Sequence, residues 1–106
     1  MQVSPTETAK KESAKLGAQI YLQQAINLLK GASLEKLLQR QDVVPLLGPS
    51  MKGAYEVKPG RYRGIFALIR EEHALIFGFF KKEGMRLKRT ELNRIEQRLK
   101  EIKKDL

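Results

Sequence analysis

The sequence contains no cysteine and no tryptophan, and its 106 residues include a single histidine. Without cysteine the chain forms neither disulfides nor thiolate metal sites, so a reducing compartment is its natural setting. One histidine excludes a histidine-rich zinc site and also the pair of catalytic histidines found in many ribonucleases. The longest apolar run, residues 74–80, is far too short to span a membrane, and the N-terminal residues form no apolar signal core. We therefore expect a cytoplasmic protein that uses no metal or other cofactor and has no membrane partner.

Positive charge is abundant and unevenly distributed. The formal net charge is +9, and residues 52–106 hold 15 of the 21 basic residues but eight of the 12 acidic ones, a net of +7. This asymmetry favours a polyanionic partner, most simply nucleic acid. The alternative is the solvated basic surface of a ribosome-associated or merely soluble protein.

Helical spacing and capping residues predict an N-terminal helical region and a C-terminal helix. The first helix is predicted to begin at Ser4 as its N-cap, to kink or split at Gly17, and to end before Gly31. Ser33 is predicted to cap a short helix, and Thr90 is predicted to cap the last one. The leucines and isoleucines of that last helix form one apolar stripe, as expected for a helix packed on a core.

Strand signals follow at residues 54–58, 61–70 and 73–81, with a Pro-Gly turn between the first two. The third segment is almost continuously apolar, which predicts a central strand covered on both faces. Residues 1–3 and 43–46 are candidates for short additional strands. The sequence therefore predicts an α+β fold, in which a three- or four-stranded, mainly antiparallel sheet carries N-terminal helices and a C-terminal helix.

Basic residues mark the ends of the two long strands. Alternation places Arg61 and Arg63 on one face and Tyr62 on the opposite, core face, and it places Lys81 and Lys82 on opposite faces. Two guanidinium groups can grip phosphate and stabilise charge that develops on it. RNA cleavage then needs neither histidine nor metal, because the 2′-hydroxyl attacks the phosphorus while a lysine among other cations is a feasible base. The alternative is that these basic residues are simply solvated.

Other polar residues of the strand region have simpler interpretations. Glu56 is either a general base or, as we favour, an ion-pair partner of Arg61 or Arg63. His73 is interpreted as a solvated turn residue. We expect both arginines to be exposed, so that Arg63→Ala would hardly change stability.

The stretch from Val44 to Ile102 resembles toxins of the RelE/ParE superfamily, and most of all its phage-derived HigB-like branch. The segments that carry the resemblance are VVPLLGPSMKGAYEVKPGRYRGIFAL, HALIFGFFKKEG and RTELNRIEQRLKEI, and SPTETAKKESAKL resembles the family's first helix. The resemblance implies one microbial-ribonuclease-like domain over residues 1–106. It also implies a type II toxin that is neutralised by an antitoxin protein and that cleaves mRNA on the ribosome.

The family pattern also suggests site residues. Its basic positions correspond to Lys52, Lys58, Arg61, Arg63, Lys81 and Lys82. We assign catalysis to Lys58, Arg61, Arg63 and Lys81, and RNA binding to Lys52, Lys82, Arg86, Lys88 and Arg89. No tyrosine follows Tyr62, so the C-terminal tyrosine that some members use is missing. A non-catalytic module that binds RNA or the ribosome, and a ParE-like gyrase inhibitor, remain alternatives.

Overall fold

The computed structural model describes residues 1–84 and 87–106, and within these residues the chain forms five strands and four α-helices. In chain order the elements are β1 (Gln2–Pro5), α1 (Glu7–Lys15), α2 (Gln19–Lys30), α3 (Leu34–Gln39), β2 (Val43–Pro45), a 3-10 turn (Pro49–Met51), β3 (Ala54–Val57), β4 (Tyr62–Arg70), β5 (His73–Lys81) and α4 (Arg89–Lys104). None of these helices has the length and apolar content needed to cross a bilayer.

The strands form one sheet in the order β1-β5-β4-β3-β2, with β4 at its centre. The pairing is antiparallel except between β1 and β5, which run parallel. The predicted α+β class and the mainly antiparallel sheet are confirmed. The structure has five strands where three or four were predicted. The difference arises because both short edge strands form, β1 with four residues and β2 with three.

The N-terminal residues form a strand where a helix start was predicted. Ser4 lies in β1, and its Oγ is 2.8 Å from Nε2 of His73 rather than capping a helix. The N-cap of α1 is Thr6, whose Oγ1 accepts a hydrogen bond from the N–H of Ala9 at 3.1 Å. Pro5, which lacks an N–H, suits the end of an edge strand.

The later helix boundaries mostly follow the sequence signals. Gly17 has a φ of +64° and separates α1 from α2, so the predicted split is confirmed. Ser33 caps α3 as predicted, accepting from the N–H of Lys36 at 3.3 Å. Thr90 is not the cap of α4, which begins one residue earlier; instead, the carboxylate of Glu91 accepts from the N–H of Lys88 at 3.4 Å.

The sheet carries an apolar layer on each face. The layer under α1–α3 includes Leu22, Leu29, Leu37, Phe66, Ile76 and Phe79. The layer under α4 includes Met51, Ile65, Phe77, Ile95 and Leu99. Strand alternation is confirmed in β4, where Phe66 faces the N-terminal helices while Ile65 and Ala67 face α4. Tyr62 packs against the first layer, as predicted.

Candidate functional site

The turn between β3 and β4 brings the ends of two strands together. Gly60 has a φ of +60°, and the N–H of Tyr62 donates to the carbonyl of Pro59 at 3.1 Å. Such a tight turn needs a residue that tolerates positive φ at this position, which favours glycine. The carbonyl of Arg61 then accepts from the N–H of Lys82 at 2.9 Å. The first residue after β5 is therefore held beside the first residue before β4.

An open cleft of about 400 Å³ lies at this end of the sheet, lined by Gly60, Arg61, Arg63, Lys82 and Gly84. Three of these five lining residues are cationic and none is acidic. Guanidinium and ammonium groups that converge in this way favour an anion, and Arg in particular matches the oxygens of a phosphate. The charge of the cleft lining therefore suits an anion such as phosphate.

Arg63 is fixed within the protein rather than exposed. Its Nη1 donates to the carbonyls of Gly60 and Tyr62 at 2.9 and 2.7 Å. Its Nε lies 2.9 Å from Oε1 of Glu56, but the N–H is not aligned with that oxygen, so the contact is an ion pair rather than a directed hydrogen bond. The side chains of Arg63 and Glu56 are 15% and 9% exposed.

These contacts settle two expectations about the strand region. The assignment of Glu56 as an ion-pair partner is confirmed. The expectation that Arg63 is exposed is wrong, because its side chain is only 15% exposed and is held by two turn carbonyls and a buried carboxylate.

Lys81 and Lys82 line different depressions, and Lys82 is the one at the cleft. Lys81 pairs with Tyr62 across the strands, whereas Phe80 pairs with Arg63. Lys81 lines a separate depression of about 270 Å³ between α1, the end of β5 and the start of α4. A catalytic role for Lys81 requires it to lie beside Arg61 and Arg63. The structure does not bring these residues together.

The remaining assigned residues are spread around the molecule. Lys58 is exposed in the β3–β4 turn but does not line the cleft, and Arg89 is exposed at the start of α4. Lys52 is exposed, and its carbonyl accepts from Nζ of Lys103 at 2.7 Å, which places it by the C-terminal part of α4. Lys88 pairs with Glu83 at 3.1 Å. Arg86 lies outside the described residues.

Sequence reasoning missed an aromatic group behind the β3–β4 turn. Tyr21 of α2 contacts Tyr62 with ring centroids 4.8 Å apart, and Tyr62 stacks on Phe79 at 5.6 Å. Tyr21 lies off the buried stripe of α2, which consists of Leu22, Ala25, Ile26 and Leu29. An aromatic residue outside the apolar stripe of a helix was the signal that could have drawn attention to it.

No protein-family model matches the chain, and no curated protein matches it.

Proposed function

We propose that this protein is a RelE-like toxin of a type II toxin–antitoxin system, a metal-independent endoribonuclease that cleaves mRNA on the ribosome and so inhibits translation. The observation that carries the proposal is the meeting of Arg61, Arg63 and Lys82 in one open cleft that has no acidic residue among its described lining residues. The net charge of +7 on residues 52–106 supports the same partner.

The chemistry requires charge stabilisation and proton transfer. Attack of a ribose 2′-oxygen on the adjacent phosphorus forms a 2′,3′-cyclic phosphate and breaks the bond from phosphorus to the 5′-oxygen. The 2′-hydroxyl loses its proton to water, and the leaving 5′-oxygen takes up a proton. Negative charge builds on the phosphoryl oxygens during this step, and cations fixed beforehand stabilise it. Arg63 is held in place by its carbonyl and carboxylate contacts, whereas Arg61 is exposed at the mouth of the cleft. Among the described lining side chains, Lys82 carries the amine that can exchange a proton with a reacting oxygen, since guanidinium groups stay protonated.

The proposal is tested by inducing the protein in growing bacteria and mapping the 5′ ends of their mRNA. We expect growth arrest and new ends inside translated frames. Arg61→Ala should reduce cleavage on the order of 100- to 1,000-fold, because it removes one charge-assisted contact to the transition state. Arg70→Ala is the matched control, since it removes the same charge from the opposite end of β4; it should cleave like the unmodified protein.

Two other outcomes would contradict the proposal. A non-catalytic RNA-binding module is favoured by one observation, namely that no histidine or carboxylate lines the described cleft. Such a module would slow growth without producing new mRNA ends. A gyrase inhibitor would raise DNA-damage signals while leaving mRNA intact.

The proposal includes a cognate antitoxin. Because neutralising the cations of the cleft is a direct way to block phosphate binding, we expect an acidic or amphipathic antitoxin segment to cover or distort this region. In a purified toxin–antitoxin complex, the cleft should no longer bind RNA. An antitoxin that neutralises toxicity while leaving RNA binding and the Arg61 region unchanged would contradict this part.

A further inference from the structure

We propose that Tyr21 is a stacking platform for a nucleobase of the RNA whose phosphate occupies the cleft. This inference rests on the proposed function, because it presupposes that Arg61, Arg63 and Lys82 bind RNA. It adds a base-binding element on the other side of the β3–β4 turn.

Tyr21 ends a row of three aromatic rings. Phe79 is buried, Tyr62 is half-buried on it, and Tyr21 contacts Tyr62 at an interplanar angle of 36°. Although its ring makes this contact, Tyr21 remains 37% exposed, and its neighbours Ile20 and Leu16 are 74% and 41% exposed. The outer end of the aromatic row is therefore accessible to a flat ligand.

One glycine separates this ring from the phosphate cleft. A Cβ atom at Gly60 would lie 3.0 Å from Cε1 of Tyr21, so the ring touches the glycine backbone directly. The carbonyl of the same glycine accepts from Nη1 of Arg63 at 2.9 Å, and Gly60 also lines the cleft. A strand with a phosphate beside Arg61 can therefore place a base on Tyr21 by passing over the tip of one turn.

The chemistry of this pair of features suits single-stranded RNA. Proteins that bind single strands combine cations that follow the backbone with aromatic side chains on which bases stack. The buried stripe of α2 begins at Leu22 and does not include Tyr21, whose ring packs on the β3–β4 turn instead. Stacking tolerates every base, so we expect weak sequence preference from this contact.

The test separates base binding from phosphate binding with two RNA probes of equal length. One is a 2′-O-methyl hexanucleotide, which cannot be cleaved because its 2′-oxygen is blocked, and the other is the same backbone without bases. Affinities are measured by titration at low salt. Tyr21→Leu keeps an apolar side chain against Tyr62 and Gly60 but removes the flat ring, whereas Tyr21→Phe keeps the ring. Arg61→Ala reports on the phosphate cleft.

We expect Tyr21→Leu to weaken binding of the base-containing probe roughly 10-fold, in line with the loss of one stacked base. Tyr21→Phe should bind both probes like the unmodified protein, and Arg61→Ala should weaken both. Retained affinity of Tyr21→Leu for the abasic probe shows that the variant is folded and that its cleft is intact.

Three results would overturn the inference. If Tyr21→Leu binds both probes like the unmodified protein, the Tyr21 ring does not bind a base, and the exposed surface around it either contacts another protein or has no ligand. If it weakens both probes equally, Tyr21 supports the cleft and does not stack on bases. If the unmodified protein binds neither probe, the proposed function fails together with the stacking site. In the first two results only the stacking site fails, because the unmodified protein still binds RNA.

Discussion

Arg61 and Arg63 lie two residues apart and line the same cleft, yet their surroundings differ. Arg61 precedes β4, is exposed and lines the cleft. Arg63 is tied to two turn carbonyls and to the buried Glu56. The first is therefore a candidate for contact with a ligand, and the second keeps the turn in shape.

We predict that Arg63→Ala lowers the free energy of unfolding by about 3 kcal/mol, because it leaves the carboxylate of Glu56 buried without its partner. Arg61→Ala, the control, should change it by less than about 0.5 kcal/mol. Urea denaturation of both variants measures the difference. In the double variant with Glu56→Gln, part of the loss should be recovered; equal stability of the two single variants would contradict the buried ion pair.

Two glycines with nearly equal φ angles allow a second comparison. Gly17 and Gly60 have φ of +64° and +60°, but only Gly60 would bring a new Cβ against Tyr21. Alanine at either position should cost about 1 kcal/mol for the left-handed backbone. Gly60→Ala should cost roughly 1 kcal/mol more, because the Tyr21 ring must move. Thermal or urea unfolding measures both values. Equal losses of unfolding free energy would show that the Tyr21 ring accommodates the added methyl group without cost.

At the residue level, alternation along β4 was sufficient to predict the faces of Tyr62, Ile65 and Arg63. It could not predict that Arg63 is half-buried, because this depends on where the carbonyls of Gly60 and Tyr62 point after the turn closes. It also could not predict that the cleft is lined by Lys82, the predicted RNA-binding lysine, and not by Lys81, the predicted catalytic one. The choice depends on strand register, and β5 carries an irregularity in its pairing with β4 that sequence alone does not reveal.

At the level of elements, α1, β5 and α4 are joined by one pair of side chains. Arg98 of α4 donates from Nη1 and Nη2 to the two carboxylate oxygens of Glu12 in α1, at 2.9 and 3.2 Å. The same pair binds the backbone of β5, since Glu12 accepts from the N–H of Phe79 and Arg98 donates to the carbonyl of Phe77. Helices on the two faces of the sheet are thereby connected around its edge.

We predict that Glu12→Ala lowers the free energy of unfolding by about 2 kcal/mol, because charge-assisted bonds and a backbone hydrogen bond are lost together. Glu7→Ala is the control within the same helix. It removes only an exposed pair with Lys10 and should cost less than about 0.5 kcal/mol. Denaturation curves followed by circular dichroism measure both, and a Glu12→Ala protein as stable as Glu7→Ala would show that the connection contributes little.

The long elements were predictable and the short ones were not. The strands β4 and β5 each contain nine residues, most of them apolar, and α4 has a clear apolar stripe. Strand β1 has four residues that contain serine and proline, and a capping motif overlaps them. Its strand state depends on pairing with residues 73–76, a tertiary interaction across about 70 positions of the chain.

At the level of the whole molecule, the charge distribution makes a quantitative prediction about binding. If Arg61 and Lys82 each displace a counterion from single-stranded RNA while Arg63 stays paired with Glu56, the logarithm of affinity should fall with the logarithm of salt concentration with a slope of about −1.4. Arg61→Ala should reduce the steepness by about 0.7, and Arg70→Ala should leave it unchanged. Titrations at several salt concentrations measure the slopes. Identical slopes for both variants would show that the RNA does not contact Arg61 in the cleft.

The α+β class, the mainly antiparallel sheet and the basic character of residues 52–106 followed from apolar periodicity and charge counts. The position of the cleft could be predicted from the sequence only in part. Sequence placed Arg61 and Arg63 together, but the joining of Lys82 to them required the hydrogen bond between the ends of β4 and β5. Tyr21 was missed because it reaches the turn from a distant helix.

The pair formed by Glu12 and Arg98 also has a consequence for self-association. The partner strand β1 ends opposite Ile76, so the most apolar part of β5 continues as a sheet edge. Open apolar edges recruit strands from other molecules and seed aggregates. Here a carboxylate occupies the N–H of Phe79 and a guanidinium occupies the carbonyl of Phe77, so a foreign strand would have to displace two charges before it could pair. Concentrated solutions of a protein without this pair should therefore become turbid at temperatures where the unmodified protein stays clear.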